Sequence, residues 1–168
     1  MTFPISVKYN RPLKATITPD NEQQVLQYIE KSILEDKADN VAIQSLYVTY
    51  KGSTSSWNWA LFKGIDNGTF RLFYKNNCWF LNYQINMRKL FIYTLIMSAI
   101  MGAYALLYGG PWWVGIAAFC WLCGGNWLIN IVRHGGVASD IAFGIDELFG
   151  DQLPPESEED KERLKSWF

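Results

Sequence analysis

A chain of 168 residues, 49% hydrophobic and 16% aromatic but only 18% charged, has room for one modest domain and an anchor, which excludes a second enzyme-sized domain. The formal net charge of −1 hides a basic excess before Leu90 and an acidic end bearing Asp151, Glu156, Glu158, Glu159 and Asp160, and no part is basic enough for a nucleic-acid footprint. Cys78, Cys120 and Cys123 are too few and too unevenly spaced for a disulfide framework and are expected to be reduced.

Residues 1–10 lack the apolar run of roughly 7–15 residues that a secretory signal needs, so the amino-terminal part is expected to stay on the side of the membrane where it is made. Alternation in Ile5-Ser6-Val7-Lys8 and in Leu13-Lys14-Ala15-Thr16-Ile17 predicts two short strands broken around Asn10-Arg11-Pro12, as a hairpin or a bent strand. Asp20, followed three residues on by Gln23, has the pattern of a capping box, and Val25, Leu26, Ile29, Ile33 and Leu34 recur at the helical spacing of a stripe that packs on a sheet. The β-branched and aromatic run 41–50 predicts one strand, 52–56 a polar loop and 57–65 another strand. Asn67-Gly68 tolerates the positive φ of a tight hairpin turn, 69–74 returns antiparallel, Lys75-Asn76-Asn77 turns the chain again, and 78–86 is a strand leading into apolar sequence. Residues 1–87 are therefore expected to form a cytosolic α+β domain, one helix on a mainly antiparallel sheet.

Residues 90–108 and 112–132 carry no charge, and at 1.5 Å per residue each spans about the 30 Å thickness of a bilayer's hydrocarbon core. With Gly109-Gly110-Pro111 between them they predict a transmembrane helical hairpin over 88–134. Arg88 and Lys89 precede it and Arg133 and His134 follow it, while the turn is uncharged, so both termini are expected on the cytoplasmic side of a plasma or inner membrane. His134 reads as a capping cation at a helix end. In 135–168, Val137, Ile141, Ile145, Leu148 and Phe149 mark an amphipathic helix. Its polar face, with Asp140, Asp146 and Glu147, is acidic, and repulsion from anionic lipid makes the helix expected to pack on the basic amino-terminal domain rather than lie on the membrane surface. An acidic tail follows Leu153-Pro154-Pro155 and ends in Trp167-Phe168.

Several groups stand out as candidate sites. Ser98-x-x-x-Gly102, Gly115, Gly124 and Gly125 permit close helix approach, and Asn126 and Asn130 need hydrogen-bond partners in hydrocarbon, so together they predict a helix–helix interface. Cys120-Trp121-Leu122-Cys123 places two thiols on nearly one helix face, as a redox pair does, but so deep in the apolar segment that packing is the simpler role. Trp57, Trp59, Trp79, Trp167 and Phe168 are a possible docking surface. One histidine and the absence of phosphate-cradling or nucleophile motifs argue against an enzyme, a metal site or a cofactor.

Three functions are consistent with this pattern. The first is a non-catalytic accessory or scaffold component of a membrane complex, its hairpin in the bilayer and its cytosolic domain on a protein partner. The second is a ligand-controlled effector whose hairpins form a homo-oligomer that permeabilises the membrane. The third is a membrane thiol oxidoreductase acting through Cys120 and Cys123.

Overall fold

The computed structural model describes residues 5–52 and 65–150. All but Ile65 of the strand expected at 57–65, the aromatic residues Trp57, Trp59, Trp167 and Phe168, and the acidic tail lie outside the described residues. Five antiparallel strands, β1 (Ser6–Leu13), β2 (Asp39–Gln44), β3 (Tyr47–Lys51), β4 (Asn67–Lys75) and β5 (Cys78–Asn86), form one sheet in the order β1-β5-β4-β3-β2. Among the described residues three helices complete the fold: α1 (Glu22–Glu35), α2 (Arg88–Leu107) and α3 (Val114–Phe149). The chain is thus α+β, with two long apolar helices packed together after the sheet.

Several local features differ from the sequence expectation, each for a physical reason. β1 is one strand that runs through Pro12, because it lies at the sheet edge, where a missing N–H costs least; Pro12 faces Phe80 of β5. α1 begins at Glu22 rather than after Asp20. Instead of a capping box, Asn21 turns its amide back on the preceding loop, accepting from Thr18 N at 2.7 Å and donating to Thr16 O at 3.0 Å.

The run 41–50 is not one strand but the hairpin β2–β3, turning at Ser45-Leu46 with Ser45 at φ 43°. Asn67-Gly68 is not a turn but the start of β4, and a Cβ at Gly68 would lie 2.3 Å from the ring of Tyr50, so glycine is there to admit that ring. The expected turn at Asn76-Asn77 is present, with φ of 52° and 57° joining β4 to β5.

The largest difference is in α3. Its apolar segment does not end at Val132. The helix continues unbroken to Phe149, 36 residues in all, with one π-helical turn at Cys120–Gly124. Arg133, His134 and the two glycines after them do not stop it because the next turns bury Val137, Ala138, Ile141, Ala142, Ile145 and Phe149 in the same core as Leu81, Tyr83 and Ile85. Of the expected stripe only Leu148 stays exposed. This half of α3 lies against β1 and β5, and α1 lies against β2 and β3. Asp146 ties the arrangement down: Oδ1 accepts from the backbone N–H groups of Lys14 at 2.7 Å and Ala15 at 3.0 Å.

α2 and the first half of α3 are different in kind. Only 17% of the apolar stretch of α2 and 11% of that of α3 is buried within the chain, whereas a core helix of a water-soluble protein would be mostly covered. Leu107, Trp112 and Trp121 are among the large side chains left on the outside.

Candidate functional site

The two apolar helices meet where the small residues are. A Cβ at Gly102 would lie 3.0 Å from the Gly115 Cα, and one at Gly115 would lie 3.2 Å from both the Gly102 Cα and the Ser98 carbonyl oxygen, so Ser98, Gly102 and Gly115 form the contact. Backbones this close gain dispersion and weak Cα–H contacts that any larger side chain would abolish.

Gly124 and Gly125 are not part of it; both are exposed with open space at the Cβ position. The two asparagines bond along their own helix rather than across to α2: Asn126 Nδ2 donates to Leu122 O at 2.6 Å and Asn130 Nδ2 to Asn126 O at 2.8 Å. Asn130 is buried, while Asn126 faces outward. Cys120 is exposed and Cys123 buried, and both are free thiols on the π-helical turn. Trp79 is half-buried at the start of β5, tilted against the ring of Tyr74 at 5.4 Å. Among the described residues no three metal-ligating side chains come together.

Sequence reasoning missed a buried polar chain between sheet and helix. Tyr50 on β3, Tyr83 on β5 and His134 on α3 are each 2% exposed or less. The Tyr50 and Tyr83 hydroxyls are hydrogen-bonded at 2.5 Å, and the Tyr83 hydroxyl is 2.9 Å from Nδ1 of His134. His134 is thus not a capping cation on a free helix end but a core residue, because the helix does not end there. Tyr83 is held by stacking on Phe70, with ring centroids 4.0 Å apart and planes 4° from parallel.

Burial raises the pKa of both tyrosines well above that of an exposed phenol, so they are neutral donors and acceptors at physiological pH. Beside them Tyr9 donates to the Ile131 carbonyl at 2.8 Å, and burial pushes its pKa up to about 12 against the opposing pull of Arg11. Arg11 in turn donates to the Gly135 carbonyl at 3.4 Å. These bonds fix the middle of α3 to the sheet.

The sheet's other face is polar. Around a groove of about 420 Å³ stand Lys8 of β1, Gln84 and Asn82 of β5, and Thr69 and Arg71 of β4. The register places Lys8, Gln84 and Thr69 side by side in one row, and Asn10, Asn82 and Arg71 in the next. The signal was in the sequence: Asn82, Gln84 and Asn86 alternate with the buried Leu81, Tyr83 and Ile85.

No family model matches the chain. No curated protein and no solved structure matches it significantly either. A functional reading therefore rests on the two helices, the joint between helix and sheet, and the polar face.

Proposed function

We propose that this chain is a non-catalytic integral membrane protein, an accessory or scaffold component whose sheet domain is held rigidly above a two-helix anchor. The observation that carries the reading is the unbroken α3. Its 36 residues measure about 54 Å at helical rise. About 30 Å of that, through Val132, matches the hydrocarbon core, and the rest forms one wall of the domain. A tether would need no such joint. Continuity of this kind suits a component whose domain must keep a set orientation to the bilayer.

In this reading α2 and the first half of α3 cross a plasma or inner membrane as a hairpin, and both termini are cytoplasmic, as the flanking Arg88, Lys89 and Arg133 favour. Phe143 and Leu148, 70% and 59% exposed on the outer side of the domain half of α3, offer the apolar surface that a protein partner would cover. The test is to purify the chain from its native membranes in mild detergent and determine the mass and identity of everything that co-elutes. A stoichiometric foreign chain supports the accessory reading; a ring of this chain alone overturns it.

Asn126 supports a second reading. It is exposed beside Gly124 and Gly125 on an otherwise apolar surface, where a side-chain amide facing lipid is costly. A second copy packed on that face would cover it, and a homo-oligomer that permeabilises the membrane under control of the domain would follow. Asn126→Leu would then break the oligomer seen by crosslinking. An unchanged crosslinking pattern would count against this reading.

A further inference from the structure

From the groove on the open face of the sheet we infer a site for the headgroup of an anionic phospholipid from the leaflet beneath it; this rests on α2 and α3 crossing a membrane. The first argument is position. Ser6, Asn67 and Asn86 share one row across β1, β4 and β5, and Asn86 is two residues from Arg88, where α2 begins. Lys8, Gln84 and Thr69 stand one pleat further from that helix, about 7 Å. That is the height at which a phosphodiester meets a domain resting on the bilayer.

The second argument is charge. Lys8 and Arg71 are both exposed and flank the groove, separated by two strands and one pleat, about 12 Å between their Cα atoms. Their long side chains can close on a phosphate lying between them. Asp66, beside the helix start, is already engaged: it accepts from the Lys89 backbone at 2.9 Å and faces the Lys89 ammonium at 3.7 Å. Asp39 stands across from Lys51 at the far strand pair. Arg88 adds to the positive side.

The third argument is hydrogen bonding. Asn82 Nδ2 donates to Asn10 Oδ1 at 2.6 Å and Gln84 Nε2 to Ser6 Oγ at 3.0 Å. Each amide nitrogen carries a second N–H, which can reach a phosphate oxygen, and each amide oxygen can accept from a headgroup hydroxyl. Lysine and arginine at the edges with amides and a threonine hydroxyl between them fit a phosphodiester that carries free hydroxyls. Phosphatidylglycerol is the simplest such lipid.

The test uses the full chain. It is purified in mild detergent and its retained lipid measured by native mass spectrometry after addition of phosphatidylglycerol or phosphatidylcholine. The expected result is preferential retention of phosphatidylglycerol, reduced roughly fivefold by Arg71→Gln and by Lys8→Gln, since each basic residue near an anionic surface supplies about that factor. Lys31→Gln, on the exposed side of α1, should leave retention unchanged, and Arg71→Lys should restore most of it.

Equal retention in all variants overturns the proposal, as does an equal loss with Lys31→Gln. Stabilisation by glycerol 3-phosphate matching that by the lipid would also overturn it, because the site would then serve a soluble anion. Alkaline carbonate extraction of the same membranes separates the two levels of the argument. Release of the chain into the supernatant removes the membrane reading itself, whereas a chain that stays with the membranes but shows no variant effect removes the groove alone.

Discussion

Replacing Tyr83 by Phe deletes one oxygen and leaves the ring stacked on Phe70. That oxygen sits between two other buried groups, 2.5 Å from the Tyr50 hydroxyl and 2.9 Å from Nδ1 of His134, so the change removes two hydrogen bonds at once. A net bond contributes about 1 kcal/mol, which gives about 2 kcal/mol for Tyr83→Phe. For a domain of this size a kilocalorie moves the unfolding midpoint by roughly 4–8 °C, so Tyr83→Phe should unfold roughly 8–16 °C below the parent. Near-UV circular dichroism of the purified chain in detergent reads the loss of tertiary structure. If Tyr83→Phe melts with the parent, the buried chain does not join helix to sheet as described.

Two glycines of α3 should respond to alanine with opposite signs. Gly136→Ala meets open space and should stabilise the domain by up to about 1 kcal/mol through helix propensity. At Gly144 a Cβ would fall 1.8 Å from the Tyr28 hydroxyl, so Gly144→Ala should destabilise it by about 1–3 kcal/mol. Denaturant midpoints of the two variants check both signs. Gly102→Leu should force α2 from Gly115 and lower the resistance of the hairpin to detergent denaturation, while Gly124→Leu, in open space, should not.

Alkaline pH should act through the tyrosines. Below pH 10 both the folded and the unfolded chain keep these phenolic protons. Above it the unfolded chain releases them, while Tyr9, with its pKa at about 12, and Tyr50 and Tyr83, also raised by burial, hold theirs. Stability should therefore fall as pH rises from 10 towards 12, and less steeply in Tyr83→Phe. Denaturation midpoints across that range would show an equal fall in both proteins if the argument is wrong.

Much of this fold could be read locally. The turn at Asn76-Asn77 and the stripe Val25, Leu26, Ile29 and Ile33 of α1 depend on residue types and spacing alone. The hairpin inside 41–50 was also legible, though through phase rather than composition. The inward positions are odd at Val41 and Ile43 but even at Val48 and Tyr50, and such a switch requires a turn between them. Asn67-Gly68 misled because its usual meaning is conformational, whereas here the glycine makes room for the Tyr50 ring across the strand.

The joint itself was beyond local reasoning. Arg133, His134, Gly135 and Gly136 look like the end of a helix, and what carries the helix through them is a partner at Tyr83, 51 residues away from His134. Of the predicted interface, Ser98, Gly102 and Gly115 meet because a small-residue pattern on two adjoining helices has one place to close. The orientation of Asn126 depends on rotation of α3, which is set by its packing on the sheet.

The most direct measurement of the central claim is a pulsed electron-spin distance between nitroxide labels at Leu128 and Phe143, both exposed, with the chain in lipid bilayers. One continuous helix places their Cα atoms about 22 Å apart, so the labels should give a single narrow distribution near that value. Oxygen should relax the label at Leu128, and a water-soluble nickel chelate the one at Phe143. A broad or much shorter distribution, or a label at Leu128 that the chelate reaches as readily as the one at Phe143, would contradict a helix that joins bilayer and domain as one rigid piece.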